Sequence, residues 1–244
     1  IFCFGKVAGK IIGFFYGLFF IWLSAAVLQT FGYYEISVNF PETPIIFISI
    51  CYMALIAFMV KIGLEAIGRI CEIAFIIVFV IIIISFLSFI TNFELDVFKP
   101  VLKNGIKKPL AEGLKLALFP FGESIAALTI LPNLNEQKKV FKVANLSTFF
   151  AGLILTVVMF RNIATVGVDA ASRIIFTSEK IFRLMPGVDL YPLLHIDTIL
   201  VCVIKVSVAL YASVRTMAEV FSLKNYKIFV LLFAVLIVCL SMLL

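Results

Sequence analysis

The chain has 244 residues, of which 64% are hydrophobic and 14% charged, with a formal charge of +6 and a mean hydropathy of +1.20. A soluble domain is about half apolar and about a quarter charged, so a soluble enzyme and a nucleic-acid-binding protein are both excluded. The positive charge instead reads as basic cytoplasmic loops and attraction to anionic membrane lipid.

A bilayer-crossing helix needs about 20 mostly apolar residues, and the sequence supplies such stretches repeatedly. The reading is an all-α, polytopic membrane helix bundle, with residues 1–244 forming a single transmembrane domain. The first predicted span, about 11–31, carries no charge. It overlaps GKVAGKIIGFFYG, where Gly5, Gly9, Gly13 and Gly17 recur every four residues. Such a stripe lets a neighbouring helix approach closely, and packing within the chain is preferred over dimerisation.

Spans at about 45–60 and 73–90 follow, joined by GLEAIGRICEI. There Glu65 and Arg69 stand at i,i+4, and Arg69 and Glu72 at i,i+3, which predicts a short charge-paired helix leading into the third span. A fourth, broken span is drawn at about 113–132, and a fifth at about 143–160. Residues 167–185 alternate polar and apolar groups at helical spacing and predict an amphipathic helix on the outer face. The last two spans are at about 193–214 and 228–244. Lysines and arginines in the short loops (Lys6, Lys10, Lys61, Arg69, Lys138, Lys139, Lys142, Lys224, Lys227) fall on one side if the N-terminal side is cytoplasmic.

The fourth span holds the least membrane-like sequence. Residues 117–127 read ALFPFGESIAA, which sets Phe119, Pro120, Phe121, Gly122, Glu123 and Ser124 side by side. Proline removes a helical N–H and clashes with the preceding turn. The peptide groups this releases must be buried in protein or line a cavity, because lipid cannot bond them. A carboxylate at that depth is a functional candidate by default. Two half-helices are predicted, the first ending near Phe119 and the second beginning near Gly122, with a small-molecule site at their junction. The competing reading is a proline kink with a structural Glu. Glu94, in an outer loop, is expected to matter less.

Lys205 lies deep in the sixth span, in LVCVIKVSVALYAS, where a central lysine costs about 2.5–3.5 kcal/mol. Thr198, Cys202, Ala209 and Ala212 share its face, so it is expected to point inward. It could pair with Glu123, replace a coupling cation, contact a ligand or serve structurally. His195 and Asp197 near the start of that span read as a rim or structural pair. The five cysteines are scattered through apolar sequence and read as buried thiols. No nucleophile motif, metal set or phosphate loop accompanies them, so neither cofactor, metal nor enzymatic chemistry is expected.

Four motifs together, GLEAIGRICEI, KPVLKNGIKKPL, FPFGE and IKVSVALY, resemble the spore germination permease family. These are the B-type subunits of spore germinant receptors, within the amino acid–polyamine–organocation superfamily. The resemblance implies the inverted-repeat amino-acid-transporter fold of about ten spans, of which about seven are present, from the third into the ninth. FPFGE would be the sixth helix, carrying the carbonyls that meet a substrate ammonium. Tyr16 and Ser24 would lie on the third helix and Lys205 on the eighth, around the same site. The implied function is recognition of a small germinant such as an amino acid, in the spore inner membrane and together with other receptor subunits. The alternative is an active amino-acid permease coupled to protons or sodium through Glu123 or Lys205.

Overall fold

A computed structural model of the chain describes residues 5–100, 105–118, 121–134, 137–183 and 190–244. Among these residues the elements are α-helices and 3-10 helices, with no strand. The α-helices are α1 (Lys6–Val38), α2 (Ile45–Ile62), α3 (Leu64–Phe89), α4 (Lys107–Leu118), α5 (Val140–Arg173), α6 (Thr177–Arg183), α7 (Tyr191–Val220) and α8 (Lys227–Ser241).

Local sequence sets most of the boundaries. The chain leaves α1 at Asn39, whose N–H still donates to the Glu35 carbonyl, before Pro41 and Pro44 prevent further helix. Gly63 closes α2 at φ 133°, a conformation that only glycine adopts without strain. The α3 start carries the expected Arg69–Glu65 pair at 2.7 Å, but both side chains are exposed, so the pair contributes little to stability.

Among the described residues, five helices are long and apolar enough to cross a membrane: Val7–Val38, Ile45–Ile62, Leu64–Asn92, Val140–Arg173 and Tyr191–Val220. Lys227–Ser241 is a shorter apolar helix. Large apolar side chains such as Phe15 (66% exposed), Phe75 (61%) and Phe149 (65%) point away from the protein, which suits contact with lipid tails.

Three expected boundaries differ. The first span ends at Val38 rather than about 31, which brings Glu35 inside the helix. The fifth continues from about 160 to Arg173 and takes in Arg161, bending at Gly167 with φ 80° and ψ 163°. The outer amphipathic stretch is therefore not one helix over 167–185. Its first part is the end of α5, the backbone turns extended at Ile174, and α6 covers Thr177–Arg183.

Two compact units are present. The first comprises α1, α2, the start of α3, residues 126–130 and residues 199–244. Its interior is apolar and fully buried at Leu28, Ile56, Val60, Val206, Leu210, Val214, Val230 and Ile237, with α8 lying against both α1 and α2. The second unit contains residues 76–125 and 131–198. It is centred on Phe89, Ile181, Phe182, Leu190 and Leu194.

The glycine stripe acts within the first unit. A Cβ on Gly13 would stand 3.0 Å from Val220 Cγ2, and one on Gly17 would stand 2.7 Å from Met217 Cε and 3.0 Å from its Cγ. Gly13 and Gly17 thus seat α1 on α7, whereas a Cβ on Gly5 would meet nothing within 4 Å. Gly17→Ile is expected to cost about 1–3 kcal/mol through overpacking, read as a lowered melting temperature in detergent. Gly68→Ile should shift it less, because a Cβ there meets nothing within 4 Å.

Candidate functional site

In the stretch where an interruption is predicted, α4 stops at Leu118. Phe119 and Pro120 lie outside the described residues. From Phe121 to Thr129 the backbone is a nine-residue 3-10 helix, and a further 3-10 turn covers Leu131–Asn133. Runs of 3-10 longer than three or four residues are uncommon, because the i→i+3 bonds are poorly aligned, and they often mark functional hinges. The local sequence explains the change of hand-hold. Pro120 supplies no N–H and disfavours α geometry at the residue before it.

Glu123 sits in the first turn of this segment, half-buried, with Oε1 shielded from solvent. Gly122 and Ser124 beside it are exposed, and Phe121 is half-buried. The Phe121 ring lies over Gly152 of α5, 3.4 Å from where a Cβ would stand. Thr129 Oγ1 donates to the Ala126 carbonyl at 2.7 Å and so holds the far end. What results is a carboxylate, a glycine without a side chain and a serine at the start of an irregular segment.

Tyr16 and Ser24 belong to the other unit, on α1. Tyr16 is exposed at 39%, with its ring 6.2 Å from Phe20. Ser24 is fully buried, and its hydroxyl donates to the Phe20 carbonyl at 2.8 Å. That proton is therefore committed to the helix's own backbone.

Lys205 is half-buried on α7, on a face whose neighbours Cys202, Ala209 and Ala212 are buried. The same unit contains a charged residue that sequence reasoning missed. Glu35 is 0% exposed, and its Oε2 accepts from Asn39 Nδ2 at 2.9 Å. Glu35 and Lys205 both act electrostatically on Cys202, and Glu35 also acts on Tyr52. Tyr52 is fixed edge-on against Phe31, with ring centroids 4.7 Å apart. An acid from α1 and a base from α7 therefore share one buried neighbourhood. The signal was the apolar and aromatic run TFGYYEISV, which continues helically up to Asn39.

A second missed group lies in the other unit. Arg161 is 4% exposed, and its guanidinium spends its donors on Asn162 Oδ1 (3.1 and 2.8 Å), Ser85 Oγ (2.7 Å) and Ser178 Oγ (3.0 Å). It also stands 5.2 Å over the Phe182 ring. Asp197 lies within electrostatic range of it, and its Oδ1 is shielded from solvent. Such partners are what allow a guanidinium to be buried. His195 is stacked on Tyr191, with ring planes 13° apart. Among the described residues no group of three His, Cys, Asp or Glu could hold a metal ion.

A family model described as "Spore germination protein" matches residues 2–244. The chain belongs to the spore germination protein family. Its helices and this membership together make it a multi-pass integral membrane protein of endospore-formers. It is 29% identical over 228 residues to Spore germination protein KB of Bacillus subtilis (strain 168). That alignment takes in 91% of this chain and 61% of the relative, so the chain spans about three fifths of the curated protein it matches. No solved structure matches it.

Proposed function

We propose that this spore germination protein is a germinant receptor subunit that recognises a small nutrient, an amino acid by preference, at the irregular segment following α4. It works in the spore inner membrane together with other receptor subunits. The observation that carries this reading is the stop of α-helix at Leu118, followed by a 3-10 run with Glu123 in its first turn. Peptide groups outside an α-helical ladder are costly at membrane depth unless something polar meets them. An amino acid offers both complements. Its carboxylate suits N–H groups at the exposed Gly122, where no side chain obstructs approach, and its ammonium suits the Glu123 carboxylate.

The test is a thermal-shift and calorimetric screen of the intact protein in nanodiscs against amino acids, nucleosides and sugars. For the ligand found, Glu123→Gln should weaken binding about tenfold or more, as expected for a charge-assisted hydrogen bond. Glu42→Gln, on an exposed loop residue, should leave binding unchanged. Equal small effects from the two substitutions would remove the assignment. If the intact protein in liposomes exchanges labelled ligand in counterflow, the same segment serves a permease.

A further inference from the structure

A cavity of about 340 Å³ lies in the second unit, where the end of α3 meets α5 and α6. This volume lies at the lower end of the range for small-molecule sites, about 300–1,000 Å³. Phe89 and Phe93 line its apolar side, and Thr91, Asn92, Glu94 and Thr165 its polar side.

The walls are held firmly. Phe89 belongs to the buried cluster of this unit, with Phe93 packed against it. The Glu94 N–H donates to the Ala164 carbonyl at 2.8 Å, which ties the loop to α5. Thr165 Oγ1 donates to the Arg161 carbonyl at 2.8 Å, and Thr91 Oγ1 donates to Asn92 Oδ1 at 3.0 Å. Both lining hydroxyls have therefore spent their protons and can offer only lone pairs to a guest. The Glu94 carboxylate is exposed and adds two more acceptor oxygens. The polar side is thus rich in acceptors, with the Asn92 amide as its side-chain donor, and it carries one negative charge. Two aromatic rings stand opposite.

The geometry points to a second binding site, for a primary ammonium joined to a short apolar group. The ammonium brings three donors to Glu94, Thr91 and Thr165, and the apolar part lies against Phe89 and Phe93. A carboxylate on the guest would face Glu94 and be repelled, so the site prefers amines to amino acids. It is independent of the segment around Glu123. The source is therefore a soluble amine: the phosphatidylethanolamine headgroup, although close by at the end of a membrane-spanning helix, carries a phosphate two carbons from its ammonium, and Glu94 repels that anion as it repels a carboxylate.

The probe is 3-methylbutylamine, titrated by calorimetry into the intact protein in phosphatidylcholine nanodiscs, with 3-methylbutanol and 4-methylpentanoate alongside. The amine is expected to bind at least about tenfold more tightly than the alcohol, and the acid not at all. Glu94→Gln should remove that advantage, Glu94→Asp should retain most of it, and Glu123→Gln should leave it intact. Replacing part of the phosphatidylcholine by phosphatidylethanolamine should leave the amine's affinity unchanged. Competition by that lipid would overturn the selectivity against guests that carry an anion. Equal affinity for amine and alcohol would overturn the site. So would amine binding that survives Glu94→Gln, or that is lost in Glu123→Gln alone.

Discussion

Replacing Arg161 with leucine is expected to lower the melting temperature of the detergent-solubilised protein by about 10 °C. Removing one partner from a buried charged cluster costs about 3–5 kcal/mol. Each kcal/mol shifts a protein of this size by about 2–4 °C. The loss arises because Asn162 Oδ1, Ser85 Oγ and Ser178 Oγ each lose a charged donor, while the Asp197 carboxylate loses its neighbouring cation. Adding Asp197→Asn to Arg161→Leu should recover part of the stability, because the buried negative charge then disappears too. Arg161→Lys should recover little. A single ammonium cannot reproduce a fork that serves Asn162, Ser85 and Ser178 at once. An unchanged melting curve for Arg161→Leu would mean that water already satisfies the cluster.

The second large effect concerns the buried acid and half-buried base of the first unit. Lys205→Met should destabilise by about 3 kcal/mol, because Glu35 remains fully buried without the nearby cation. Glu35→Gln alone should also destabilise. The double variant should then recover at least about 1 kcal/mol relative to the sum of the two, the mark of direct coupling. Cys202 offers a local readout, since both charges act on this one thiol. Strict additivity would separate the two residues and leave Lys205 to some other partner.

The sequence made the membrane architecture legible because its signal is composition, and composition survives any error in boundary. Pro120 and Gly122 gave the sequence a local reason to expect an interruption in the fourth span, since both act wherever they occur. What it concealed were Glu35 and Arg161, for a shared reason. Each lies just past an apolar run, where a charge ordinarily signals the water phase, and each is instead carried inward by a helix that continues. Arg161 is tolerated because Ser85, Asn162 and Ser178 complete its bonds, and two of these are distant in sequence. No single-window reading finds such partners. Glu94 is a similar case, since its loop position hid its place on a cavity wall whose other polar residues come partly from α5. Tyr16 and Ser24 were chosen through family resemblance, and the hydrogen bond from Ser24 to the Phe20 carbonyl gives that hydroxyl a structural occupation of its own.

The most direct measurement of the central claim is amide hydrogen exchange of the intact protein in nanodiscs, followed over residues 121–130, with and without the amino acid found in the screen. Without ligand these amides should exchange far faster than the interior of α1, since they lie outside an α-helical ladder. With ligand bound they should slow by about tenfold or more, while α2 and α8 stay unchanged. Exchange as slow as that of α1 in both conditions would reveal a continuous helix through the segment. Fast exchange indifferent to ligand would reveal a break that binds nothing, and either result would contradict the account.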